Sequence, residues 1–184
     1  NAMAAKPDVL LILNFGSQSS DTLRQAVNFG MKQNCTILVA WASGLEQFEG
    51  LGADLCEGVY FGAQYWHGID SPLNKELVQL SRDKTRANPN YSLAGSYICT
   101  RIMLDAIVKA GSADPAKVIA VMEGMAYEGL TGKEEIRKED HQVLKNYYLL
   151  KGRAKKDMKD KDDYAEIVHS GRSFLPPAET GCKL

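Results

Sequence analysis

The stretch Asp8-Val9-Leu10-Leu11-Ile12-Leu13-Asn14-Phe15-Gly16-Ser17-Gln18-Ser19-Ser20-Asp21, running on to Met31, decides how the chain is read. Val9 to Leu13 is an uninterrupted apolar run, which suits a strand buried on both faces of a parallel sheet. It stops at a polar turn of small residues, Asn14 to Ser20. An amphipathic helix is predicted next, with Leu23, Ala26, Val27 and Met31 on its buried face and Arg24, Gln25 and Asn28 outside. Ser19 or Ser20 suits the N-cap, and Asp21 matches the helix dipole in sign. A turn between the carboxyl end of a strand and the amino end of a helix presents free backbone N–H groups. One wall of a small-molecule cleft is therefore expected here.

Downstream, Thr36-Ile37-Leu38-Val39-Ala40-Trp41 is a second β-rich run. A turn at Ala42-Ser43-Gly44 opens a Gly-interrupted helical segment through Leu55, and Gly58 to Trp66 reads as a third strand. Strand, helix, strand, helix, strand predicts a parallel sheet with right-handed crossovers. After His67 the pattern changes. Ser71 caps a helix with Pro72 at its first position, running through Lys84. Asn88-Pro89-Asn90 breaks it, and a long helix follows from about Ser92 to Ala110, ended by Gly111. Its apolar face is predicted from Ala94, Tyr97, Ile98, Arg101, Ile102, Leu104, Ala106 and Ile107. Asp114-Pro115 starts another helix, to Met122 or Met125. From Tyr127 the period shifts towards two. Short strands are expected at 135–137, 142–144 and 146–150, around a turn at Lys138-Glu139-Asp140-His141. Lys151 to Asp163 is a mixed-charge run read as a solvated loop. Tyr164 to Val168 is read as one more strand before an irregular tail.

The totals narrow the function. At 184 residues the length allows one domain or parts of two, and 45% hydrophobic with 24% charged residues is an ordinary globular balance. A formal net charge of −1 gives no case for nucleic acid or a membrane surface. No apolar run approaches the roughly 20 residues of a bilayer span. Asn1-Ala2-Met3 reads as a tag remnant, with no signal peptide in this sequence. Cys35, Cys56, Cys99 and Cys182 form no Cys-x-x-Cys pair, and His67, His141 and His169 are scattered, so no metal and no cofactor is expected. Cys35, Cys56 and Cys99 are read as buried small hydrophobes. Gly50-Leu51-Gly52-Ala53-Asp54-Leu55 lacks the third small residue of a dinucleotide fingerprint. Phe15-Gly16-Ser17-Gln18-Ser19 lacks the second glycine of a nucleophile elbow.

Five features carry a resemblance. Pro7-Asp8-Val9 enters the first strand, with Leu23-Arg24-Gln25-Ala26 and Gly30-Met31 after its turn. Cys56-Glu57-Gly58-Val59-Tyr60 opens the third strand. Pro89 precedes Ala94, Tyr97 and the helix end Ala106-Ile107-Val108-Lys109-Ala110-Gly111. Asp114-Pro115 leads to Val118-Ile119 and Met122-Glu123-Gly124. Gly129-Leu130-Thr131-Gly132, Ile136-Arg137 and Asp140-His141-Gln142 close the series. In this order they resemble the C-terminal half of the type I periplasmic solute-binding proteins of ABC transporters, in the branched-chain amino acid (leucine/isoleucine/valine-binding) family. The resemblance runs from Lys6 to the end.

That resemblance implies an α/β fold of Rossmann-like parallel-sheet lobes with helices on both faces, of which only part of the two-lobe fold is present. It divides the chain into 6–66, part of the second lobe; 67–126, helices returning to the first lobe; and 127–184, a crossing hairpin, charged loop and tail. It implies a periplasmic protein that closes on a ligand by hinge motion and presents it to a membrane permease, with no catalytic residue and no cofactor. It places the ligand contacts at Asn14, Phe15, Gly16, Ser17 and Gln18, then Trp41, Ala42 and Ser43. Gly16 permits close approach, Ser17 and Gln18 offer neutral polar groups, and Phe15 and Trp41 offer aromatic walls. The plainer reading makes Phe15 and Trp41 core aromatics and the serines helix caps. The second turn lacks the acidic residue that many amino-acid-binding members use for the ammonium, which leaves room for other small or aromatic carboxylates.

Two further readings stand beside it: a ligand-sensing receptor or regulator domain of the same fold, and a small doubly wound enzyme domain that uses the turn from Asn14 to Ser20 for a phosphate or cofactor. The enzyme needs a glycine-rich turn and a convergent acid/base set that the sequence does not show. His141 is read as a turn residue, and Tyr65, Trp66 and His67 as hinge packing or cleft mouth. Cys182 is read as exposed, suited to tying the tail down by a disulfide. Faces that a first lobe would cover are expected to make the chain self-associate as a dimer.

Overall fold

The computed structural model describes residues 1–183. The chain divides into two compact units, one of Asn1–Gly68 with Tyr147–Ser170, the other of Ile69–Asn146 with the residues from Gly171 on. The backbone therefore passes between them at 68/69, 146/147 and 170/171.

The first unit is built on β1 (Val9–Ile12), α1 (Ser17–Asn28), β2 (Thr36–Val39), α2 (Leu45–Leu51), α3 (Ala53–Cys56) and β3 (Tyr60–Ala63). Much later strands β7 (Tyr147–Gly152) and β8 (Ala165–Gly171) complete one sheet, in the order β1-β2-β3-β7-β8. β1, β2 and β3 are parallel, and β7 runs antiparallel to β3 with Ala63 opposite Tyr148. Alternation along the strands sends Ile12, Ile37, Val39, Phe61, Ala63, Tyr148 and Leu150 to one buried face. There the ring of Phe48, on α2, meets Phe61 at 4.5 Å and Trp66 at 5.0 Å. The other face carries Val9 and Leu11 exposed and Leu38, Tyr60 and Leu149 half-buried.

Local chemistry corrects several expectations. The N-cap of α1 is Gly16, at φ 66, and not Ser19 or Ser20, so the helix begins three or four residues earlier. Ser19 is fully buried instead, and its hydroxyl donates to the Gly16 carbonyl at 2.9 Å. Asp21 then falls beyond the first turn, where it pairs with Arg24 at 3.2 Å and not with the dipole. The third strand is only four residues long. Tyr65 and Trp66 lie past its end, packed in the core and not at a cleft mouth. The run from Lys151 to Asp163 is not a simple solvated loop. Its first two residues finish β7, and Asp162 is buried. The charges neutralise one another locally: Arg153 reaches both Asp163 and Glu166 at 3.3 Å.

In the second unit α4 (Pro72–Thr85) starts where Ser71 accepts the Asn74 N–H at 3.2 Å. α5 (Tyr91–Ala110) is capped by Asn90 and ended by Gly111 in the left-handed region, and α6 (Pro115–Met122) is capped by Asp114. Ile102, Ala106, Val118, Met125 and Ile136 form its core. Leu104 is exposed, as is Cys99, so the buried stripe of α5 is narrower than its sequence predicts. None of the four thiols is in a disulfide. Burial pushes the Cys56 thiol up to about 12, while Cys99 and Cys182 are exposed.

β4 (Ala126–Gly129), β5 (Gly132–Ile136) and β6 (Val143–Leu144) make a separate antiparallel sheet. The predicted hairpin is therefore shifted. Its tight turn is Leu130-Thr131, between Gly129 and Gly132, and the residues from Tyr147 leave to join the five-stranded sheet. Short β4 lacks the apolar alternation that would have announced it. A Cβ on Gly129 would fall 2.1 Å from the Glu134 carboxyl carbon, so a buried carboxylate fits under this turn only because the residue is glycine. That carboxylate accepts the Thr131 N–H at 2.9 Å and the Thr131 hydroxyl at 2.8 Å.

Candidate functional site

Parallel pairing of β1 with β2 brings both carboxyl ends to the same edge of the sheet, so the turns 13–16 and 40–44 are neighbours. They are also bonded. The Gly16 N–H donates to the Ser43 hydroxyl at 3.1 Å. The Ser43 N–H donates to the Gln47 side-chain carbonyl at 2.8 Å. The Gln47 amide nitrogen donates back to the hydroxyls of Ser19 at 2.7 Å and Ser20 at 3.2 Å. Gln47 is buried, and its four-residue reach along α2 makes it a clasp between the two turns. Nothing in the sequence singles it out, because a glutamine on an amphipathic helix is ordinarily solvated.

All eight residues expected at the ligand lie in these turns or at the start of α1. Asn14 is half-buried and donates to the Thr22 hydroxyl at 2.9 Å. Gly16 holds a positive φ that strains any other residue. Ser17 and Gln18 open α1 and are exposed, and Ser43 is half-buried. Phe15 is 49% and Trp41 39% exposed, so neither is a core aromatic. Ala42 is buried and offers the edge only its backbone, whose N–H is committed to the Gly62 carbonyl at 2.7 Å. A Cβ on Gly62 would sit 2.2 Å from the Ala40 oxygen, so this close approach of the second turn to β3 depends on glycine.

Sequence reasoning missed one neighbour. β7 begins at this same edge, because it runs antiparallel to β3. Its first residue, Tyr147, sets its ring 6.3 Å from that of Trp41, tilted by 56°. The turns themselves are uncharged from Asn14 to Ser20 and from Trp41 to Leu45. Among the described residues, no three His, Cys, Asp or Glu side chains converge on a metal-sized site. The edge can therefore offer backbone amides, hydroxyls, amide side chains and aromatic faces, and it has no acid or base of its own.

Comparison with known proteins agrees with this architecture. No curated protein matches the chain. An amino acid ABC transporter substrate-binding protein from Pseudomonas fluorescens Pf-5 is 56% identical, with a TM-score of 0.97 over 100% of this chain and 49% of that one. A solute-binding protein of an ABC transporter from Rhodopseudomonas palustris BisB5, in complex with 3,4-dihydroxybenzoic acid, shares the fold. It is 23% identical, with a TM-score of 0.79 over 96% of this chain and 48% of that one. A leucine-binding protein from Thermotoga maritima MSB8 has 23% identity and a TM-score of 0.74 over 92% and 46%. The chain thus spans about half the length of the relatives it matches. The sequence profile of the periplasmic binding proteins matches residues 1–157, and the chain belongs to that family.

Proposed function

We propose that this chain is part of the solute-binding component of an ABC uptake transporter. In this reading it works in the periplasm, takes up an amino acid or similar small carboxylate, and delivers it to a membrane permease. The observation that carries the reading is the clasped pair of turns at the ends of β1 and β2. Two adjacent turns held in register by Gly16, Ser43 and Gln47 form a preorganised, uncharged rim that keeps two large aromatics in solvent. The amino acid transport role of the Pseudomonas fluorescens relative and the dihydroxybenzoate held by the Rhodopseudomonas palustris one bracket the ligand class. The role is to hold a solute, with no chemistry performed on it.

The test is a titration of the isotope-labelled chain with leucine, glutamate, benzoate and 3,4-dihydroxybenzoate, followed by backbone amide NMR. At least one is expected to shift the amides of Asn14 to Gln18 and Trp41 to Ser43 together. Shifts confined to other residues, or none with any of the four, overturn the reading.

We also propose that the isolated chain pairs with a second copy through β1. This strand is the outer edge of its sheet, with no proline, charge or bulge to protect it, and Val9, Leu11 and Leu13 are 54%, 49% and 75% exposed. Sedimentation is expected to give a dimer for the parent and a monomer for Leu11→Lys. A monomeric parent overturns this.

A further inference from the structure

We propose that Tyr147 is a specificity-determining residue of this rim, and that with Trp41 it selects a solute carrying a flat, unsaturated ring. The inference rests on the reading that the rim holds the solute, and goes beyond it in naming the ligand's shape and a residue from a distant part of the chain.

The argument starts from a strand with two consecutive tyrosines of different fate. β7 alternates, so Tyr148 points into the core and Tyr147 to the opposite side, where it is only half-buried. Its ring lies against Trp41, itself 39% exposed, at a separation and tilt within the range of attractive aromatic pairs. A pair of large rings held at a sheet's ligand-binding edge and still in solvent leaves ring surface to be covered. Covering it with a flat ring adds the quadrupole interaction to the area removed from water, and a puckered ring of equal size gains only the area.

Electrostatics separates this from the other use of an exposed aromatic pair, which is holding an ammonium group. A cation over a ring is strongly held where it is also desolvated, and then calls for an anion nearby. The turns that form the rim contain no Asp or Glu. The nearest in sequence are Asp21, already paired with Arg24, and exposed Glu46 on α2. The polar groups that remain, on Asn14, Ser17, Gln18 and Ser43, are neutral and suit the oxygen substituents of a ring.

The experiment uses the full chain and three probes with a common carboxylate: benzoate, cyclohexanecarboxylate and trimethylglycine. Dissociation constants are read from the amide shifts of residues 14–18 and 41–43. Benzoate is expected to bind about three- to tenfold more tightly than cyclohexanecarboxylate, the range of an aromatic pair beyond area burial. Tyr147→Leu is expected to abolish that ratio, weakening benzoate while leaving cyclohexanecarboxylate within about twofold. Tyr147→Phe, which keeps the ring, is expected to retain it, and unchanged amide dispersion in both variants verifies the fold. Equal binding of the two acids, a preference for trimethylglycine, or a ratio indifferent to Tyr147→Leu overturns the inference while the rim still binds. Loss of rim shifts with every probe overturns the underlying reading along with it.

Discussion

Phe48→Ala is expected to lower stability by about 3–5 kcal/mol, the range for truncating a fully buried aromatic. For a chain of this size that is a fall in Tm of roughly 6–20 °C. Phe48 has no exposed surface, and its ring is the hub of an aromatic cluster, 4.5 Å from Phe61, 5.0 Å from Trp66 and 6.3 Å from Tyr164. These partners come from β3, from the segment that leaves it, and from the segment before β8. The cavity left by truncation is lined by rings fixed in three separate pieces of backbone, which cannot all collapse into it. The consequence for the rim is direct, because Gln47 precedes Phe48 on the same short helix. With α2 unanchored, the Ser43 N–H loses a fixed acceptor, and its hydrogen exchange is expected to accelerate more than that of α5 amides. Thermal unfolding by circular dichroism and amide exchange by NMR check both parts. A loss under about 1 kcal/mol would mean the ring fills no rigid core.

The legibility of this chain in its sequence has a physical boundary. Elements whose evidence is local were readable: β1 and β2 as apolar runs, α4 from Ser71-Pro72, α5 between the break at Asn88-Pro89-Asn90 and Gly111, α6 from Asp114-Pro115. Each is marked by residues that satisfy its own backbone ends. The two turns of the candidate site were readable for the same reason, since they are defined by where strands stop. What escaped depends on partners far away in sequence. Tyr147 and Tyr148 look like the third strand of a local meander, and only their pairing with β3, some 85 residues earlier, moves them to the other sheet. Ser19 is read as a helix cap until Gln47 arrives to bury it. Cys99 and Leu104 sit on a helix apolar on several sides, so periodicity does not decide which side faces the core.

Glu134→Ala in the second unit is expected to cost about 3–5 kcal/mol, the penalty for removing one member of a buried charged network. The carboxylate is buried, and it accepts both the N–H and the hydroxyl of Thr131 as well as the Tyr127 hydroxyl. Burial first, and the nearby Glu134 charge second, push the Tyr127 hydroxyl up, so this phenol stays protonated and donating. Alanine leaves those donors without their acceptor. It also loosens the Leu130-Thr131 turn, where the Thr131 hydroxyl accepts the Asn146 N–H at 3.2 Å and its carbonyl accepts the Asn146 side chain at 3.0 Å. Asn146 is the last residue of this unit before the chain leaves it. Glu134→Gln keeps one oxygen acceptor for Thr131 and is expected to cost less than half as much. The pH dependence supplies a second readout. Burial holds the Lys145 amine below the usual lysine range, and Glu134 opposes that shift by stabilising the ammonium. Without Glu134 the folded-state value falls further, while the unfolded one stays put. The unfolded chain then binds more protons in the interval between the two values, and stability rises with pH there. Glu134→Ala should therefore regain stability towards the ordinary lysine range more steeply than the parent. Denaturant unfolding at a series of alkaline pH values reads this slope. A slope equal to the parent's would show that Glu134 does not support Lys145, and a loss under about 1 kcal/mol at neutral pH would show that it does not hold the turn.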